Sequence, residues 1–177
     1  MTMIFGHSER KKTETGIQNR TMKIEIQILS DQDAGELTEL ISVFEEVFEM
    51  RKFNYPDEKY LKELLQKNNF LAVTAKMDGK VIAGITVYIL DQYYSTKPLA
   101  YIYDLAVLTQ YQRQGIGKKL IHFINKYCRQ QGYEEVFVQA DKVDDYAIDF
   151  YRSTKPTNEE QVVHFYYTLD SNIKTKN

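Results

Sequence analysis

The sequence predicts a single α/β (α+β) domain in which helices flank a mixed, mostly antiparallel sheet. Three observations lead there. The 177 residues suffice for one core and are few for two. Hydrophobic spacing alternates between period 2 and helical period in the order strand, two helices, three strands, helix, strand, helix, strand. Finally, YIYDLAVLTQYQRQGIGK, Tyr101 to Lys118, runs from a β-branched and aromatic strand through a glycine-bearing turn into a helix.

Residues 1–21, around GHSERKKTETG, are polar and unpatterned and read as a loose arm before a domain at 22–170 and a tail at 171–177. Lys23 to Leu29 places Ile24, Ile26 and Ile28 at period 2, a half-buried strand. Ser30 and Asp31 cap a helix to about Phe48, with Leu37, Leu40, Ile41, Phe44 and Val47 on one face. After Asn54-Tyr55-Pro56-Asp57, a second helix carries Tyr60, Leu61, Leu64 and Leu65. Phe70–Met77 and Val81–Leu90 read as strands joined by the hairpin signal Asp78-Gly79, and Gly84 marks a bulge or a close backbone approach. The strand Leu99–Leu108 follows. The next helix presents Ile116, Leu120, Ile121, Ile124 and Tyr127 and stops at Gly132. Glu135–Ala140 is a strand, Asp144–Arg152 a short helix, and Val162–Leu169 a last strand.

A turn of this kind between strand and helix leaves backbone N–H groups without internal partners, and the helix dipole favours negative charge there. The stretch Gln112-Arg113-Gln114-Gly115-Ile116-Gly117 therefore reads as a phosphate cradle. A dinucleotide fingerprint would need a third glycine inside a βαβ unit, whereas this turn has two and a hairpin ahead of it.

The same six residues resemble the pyrophosphate motif Gln/Arg-x-x-Gly-x-Gly/Ala of the GNAT superfamily of acyl-coenzyme A N-acyltransferases, and the element order is similar as well. Between about Asp57 and Phe165, YIYDLAV, RQGIG, VFVQAD, the pair Asp144-Asp145, Ala147, Tyr151 and VVHF resemble the gentamicin type of aminoglycoside 3-N-acetyltransferases. That resemblance implies a sheet splayed between the strands after Leu99 and after Glu135, with acetyl-coenzyme A as co-substrate, no metal, and an aminoglycoside amine as acceptor. It implies that the backbone of Leu105, Ala106 and Val107 binds the pantetheine arm, with the Val107 N–H facing the thioester oxygen. Gln112, Arg113, Gln114, Gly115, Ile116, Gly117 and Lys118 would hold the pyrophosphate. Tyr151 would meet the coenzyme sulfur and protonate the departing thiolate.

Attack by an amine needs a base for its proton. Asp104 is the candidate, an acid within an otherwise apolar strand immediately before the coenzyme-binding backbone. Pairing with a turn or an arginine is its other reading. Asp141, Asp144, Asp145 and Asp149 form an acidic cluster suited to a polycation. Asp144 and Asp145 equally suit helix capping. Arg113 and Lys118 equally suit a solvated helix start.

With 23 basic against 25 acidic residues, the net charge of −2 argues against nucleic acid as a partner, and no run is long and apolar enough for a membrane span. One cysteine, Cys128, fits a reducing cytoplasm and a buried helix position. His7 belongs to the arm, His122 lies off the apolar face of its helix, and His164 falls in the last strand. Ser153 to Asn158 departs from the family's leucine-glycine turn and is longer. The acceptor's identity rests on resemblance alone, against other polyamine or peptide amines or a non-catalytic coenzyme A-binding module, and a homodimer is left open.

Overall fold

The computed structural model describes residues 23–51 and 53–169. The expected arm with His7 and the expected tail lie outside them. Strand β1 (Ile24–Ile28) hands over to a capping box: the Ser30 N–H donates to the Asp33 carboxylate at 2.8 Å and the Gln32 N–H donates to the Ser30 hydroxyl at 3.3 Å. One 3₁₀ turn later α1 (Ala34–Val47) buries Leu37, Leu40, Val43, Phe44 and Val47. The next helix, α2 (Glu58–Leu65), is capped by Asp57, which accepts the Tyr60 N–H at 2.8 Å, so Pro56 stands just outside the first turn.

Strands β2 (Phe70–Met77) and β3 (Lys80–Leu90) are joined at Asp78 and Gly79, whose φ angles of 50° and 78° match the twist of a tight hairpin. Then follow β4 (Leu99–Val107), α3 (Ile116–Gln130), β5 (Glu135–Val138) and α4 (Asp145–Arg152). The sheet order is β1-β2-β3-β4-β5, antiparallel throughout except for the parallel β4–β5 pair.

Alternation along the strands separates the two faces. Thr74, Gly84 and Ala106 are cross-strand partners and share a face with Thr86. That face meets α1, because the Glu36 carboxylate accepts from Lys76 Nζ at 2.7 Å and from the buried Thr74 hydroxyl. A Cβ on Gly84 would lie 2.5 Å from the Val73 carbonyl oxygen and against Leu40, so the close approach expected at this glycine is present. Leu105 belongs to the opposite face and packs near Gly117 of α3. The two helices thus sandwich the sheet.

The expected strand at Val162–Leu169 does not form. Its valines and aromatics read as a strand because such residues fit a pleated surface, yet a strand exists only through a paired ladder. Here Val162, Val163, Phe165, Tyr166, Tyr167 and Leu169 are 64–95% exposed, and β5 pairs with β4 alone among the described strands. His164 accordingly sits in an exposed irregular segment. No described helix is long and apolar enough to cross a membrane.

Candidate active site

The parallel pairing of β4 with β5 runs only from Leu99–Glu135 to Ile102–Val138. Strand β4 continues to Val107 while β5 ends at Val138, so the two part and leave an open edge, as the expected splay requires. Antiparallel pairs alternate between those that exchange hydrogen bonds and those that do not. The Leu108 N–H donates to the Ile82 carbonyl at 2.9 Å, which makes Val107–Ala83 a non-bonded pair. The backbone groups of Val107, and two residues earlier those of Leu105, therefore point into the splay, whereas those of Ala106 point to Gly84 in β3. The Val107 carbonyl accepts from Gln112 Nε2 at 3.0 Å, and Gln114 Nε2 donates to the Gln110 carbonyl at 3.2 Å. These two glutamines hold the turn from within.

Beyond them Gly115, at φ +79°, stands at the start of α3, and Arg113 is also left-handed at φ +59°. The first helical bond is from Lys119 N–H to the Gly115 carbonyl at 3.0 Å, so the N–H groups of Ile116, Gly117 and Lys118 lie before it and are available to an anion. The Arg113 and Lys118 side chains are exposed beside them. A cleft of about 480 Å³ joins this turn to Leu105 and Val107 of β4 and is closed on its far side by Tyr146 and Phe150 of α4. The Arg113 guanidinium lies 5.4 Å from the centre of the Tyr146 ring. Tyr146 and Phe150 were not singled out in the sequence; their i, i+4 spacing opposite a helix-start glycine was the available signal.

Gly117 is not strained; its role is contact. A Cβ there would sit 2.9 Å from the Phe150 ring. Replacing Gly117 by Val should push α4 off α3 and widen the cleft. We expect KM for an anionic donor to rise roughly tenfold, the equivalent of about 1.4 kcal/mol, with a smaller change in kcat. Steady-state kinetics at saturating acceptor would check it.

Asp104 lies on the opposite sheet face, at an irregularity. Thr86 pairs with Asp104 but Val87 pairs with Ile102, so Tyr103 is an extra residue and β4 bulges. The Thr86 hydroxyl donates to Asp104 Oδ2 at 3.3 Å, while Oδ1 is buried with no hydrogen-bond partner among the described residues. Burial holds the carboxyl above its ordinary range, opposed by the Thr86 hydrogen bond. Among the described residues neither a turn nor an arginine pairs with it. The result is a carboxylate of raised basicity with one lone-pair face free to take a proton.

Tyr151 follows Phe150 on α4, and the two neighbours serve different sides: Phe150 meets Gly117, and Tyr151 is electrostatically coupled to Asp104, Asp144 and Tyr101. Burial first, then these neighbours, push its phenol far up, so it stays protonated and can donate. Asp144 caps α4, accepting the Ala147 N–H at 2.9 Å, and Asp145 and Asp141 are exposed nearby. Cys128 is buried and its thiol is pushed up to about 11 by burial, the opposite of an activated nucleophile. His122 is exposed on α3.

A sheet splayed at its parallel pair, with a helix start whose N–H groups are open on one face and a buried carboxylate on the other, is the arrangement expected of an acyltransferase. The profile of the acetyltransferase (GNAT) family matches residues 36–154, and the chain belongs to that family. Among solved structures it is similar to the aminoglycoside acetyltransferase meta-AAC0020 from an uncultured soil metagenomic sample. In complex with trehalose that protein shows 60% identity and a TM-score of 0.81, over 83% of this chain and 97% of that one. The same protein has been solved in complex with sisomicin. The aminoglycoside acetyltransferase HMB0005, also from an uncultured soil metagenomic sample, is 30% identical over 84% of this chain and 100% of that one, with a TM-score of 0.78. AAC(6')-Iy in complex with CoA, at 16% identity and a TM-score of 0.69, covered over 87% of this chain and 100% of that one, shares the fold.

Proposed function

We propose that the protein transfers the acetyl group of acetyl-coenzyme A to an aminoglycoside amine, the 3-amino group of the 2-deoxystreptamine ring, by direct attack in a ternary complex. The observation that carries this reading is the buried, unpartnered Oδ1 of Asp104 at the mouth of the splay, with the donor cleft reaching the other side of the same strand. The 60% identity to an aminoglycoside acetyltransferase supports the choice of acceptor.

In this reading the N–H groups of Ile116 to Lys118, with Arg113 and Lys118, hold the pyrophosphate. Leu105 and Val107 offer backbone groups to the pantetheine arm, and the Val107 N–H stabilises the charge that develops on the thioester oxygen. Asp104 takes the proton of the attacking amine, directly or through water. As the new C–N bond forms and the C–S bond breaks, the Tyr151 hydroxyl protonates the departing thiolate. Asp141, Asp144 and Asp145 attract the remaining ammonium groups.

An acceptor panel assayed by thiol release tests the reading, with the product's acetylation site read by NMR. Gentamicin-class compounds and sisomicin should turn over and carry the new acetyl on the 3-amino group. Turnover of spermidine or peptides with none of these compounds would overturn the acceptor, and acetylation at another amine would overturn the regiochemistry.

A further inference from the structure

Four aromatic residues stand in register across four strands: Phe70 of β2 opposite Tyr88 of β3, Tyr88 opposite Tyr101 of β4, and Tyr101 opposite Phe137 of β5. The rings meet at the two outer steps, with Tyr101 stacked on Phe137 at 4.8 Å between centres and Phe70 edge-on to Tyr88 at 5.4 Å. The bulge adds a fifth ring. Tyr103, the extra residue of β4, meets Tyr88 edge-on at 5.3 Å and Tyr101 at 5.9 Å. Tyr88 and Thr86 are two residues apart on β3 and share a face, and Thr86 holds Asp104. The aromatic row therefore lies next to the carboxylate, on its side of the sheet and away from the donor cleft. Asp104 also acts electrostatically on both Tyr88 and Tyr101.

Cross-strand aromatic pairs stabilise sheets, and Phe70, 4% exposed, serves that purpose. The centre of the row differs. Tyr88 and Tyr103 remain 36% and 41% exposed, although each ring already has aromatic neighbours that could have covered it. A run of open phenol rings beside a carboxylate suits one chemistry in particular. The ring faces attract alkylammonium groups and pack on the apolar faces of a sugar, and the attraction grows when water is excluded.

We propose that Tyr88 and Tyr103, backed by Tyr101, form the acceptor-recognition wall of this enzyme, receiving the ammonium groups and ring faces of a polycationic amino sugar beside Asp104. The proposal rests on the amino-sugar reading above and adds residues that set acceptor affinity. Tyr103→Leu and Tyr88→Leu remove the π face, whereas Tyr103→Phe keeps it. Steady-state kinetics with sisomicin, and calorimetric titration of sisomicin into the coenzyme A-saturated protein, give the readout. Each Leu variant should weaken sisomicin binding and raise its KM roughly tenfold, with KM for acetyl-coenzyme A unchanged, while Tyr103→Phe stays within about twofold of the parent. Thermal melts identify a Leu variant that misfolds, and the other Leu variant then decides. If the parent enzyme acetylates sisomicin and the folded Leu variants keep the parent's KM and affinity, the wall is refuted and the activity stands. If the parent acetylates no amino sugar, the activity reading fails first.

Discussion

Replacing Asp104 by Asn should lower kcat about 10²–10⁴-fold, the range expected on losing a general base, while coenzyme A binding stays close to the parent's. The asymmetry follows from geometry. Asp104 sits on the face of β4 opposite the cleft, and the open N–H groups proposed to hold the donor belong to the start of α3. Stability should move the other way. Burial raises the folded-state pKa of Asp104 above its unfolded value, so between the two values the folded chain holds more protons than the unfolded chain. Stability from this group is therefore lost as pH rises through that window, and at neutral pH the ionised carboxylate is a net cost. Asp104→Asn should melt higher than the parent at pH 7, with the difference shrinking as pH falls towards the ordinary carboxylate range. The acid limb of the parent's kcat/KM profile should lie above that range and vanish in the variant. Unchanged turnover would remove Asp104 from the chemistry.

The second large effect concerns Gly84 and stability. An alanine Cβ there would stand 2.5 Å from the Val73 carbonyl oxygen, a backbone atom held in the β2–β3 ladder, and against Leu40 of α1. A flexible side chain could yield; a paired carbonyl in the middle of a sheet cannot without parting the strands. Gly84→Ala should therefore destabilise by about 3 kcal/mol, at the upper end of overpacking effects. Chemical denaturation would measure it, and a midpoint equal to the parent's would show that β2 and α1 can give way there. Because α1 packs on the face that carries Thr86 and Asp104, turnover should fall alongside.

Gly84 also shows what was legible in the sequence. A glycine inside a strand pattern announces a close approach, and the structure supplies the atoms. Likewise, two positive φ angles at Asp78 and Gly79, the cap at Asp57, and the strand–turn–helix through Gly115 follow from local chemistry that residue types display directly. What stayed hidden depends on pairing between distant segments. YIYDLAV alternates on paper, so nothing marks Tyr103 as the residue without a partner; only the register against Thr86 and Val87 shows it. The in-register aromatic row is hidden for the same reason. Phe150 and Tyr146 carry no local mark either; their role comes from the packing of α4 against Gly117 and the turn before α3. The segment Val162–Leu169 reads as a strand because β-propensity reports fitness for a surface, and among the described strands none receives it.

Donor and acceptor must be held together for Asp104 and Tyr151 to act in one step. The most direct test varies acetyl-coenzyme A and sisomicin independently and plots reciprocal initial rates. Direct attack in a ternary complex predicts lines that intersect, with no acetylated protein in the absence of acceptor. Parallel lines, with a burst of free thiol and an acetyl group retained on the protein, would contradict it.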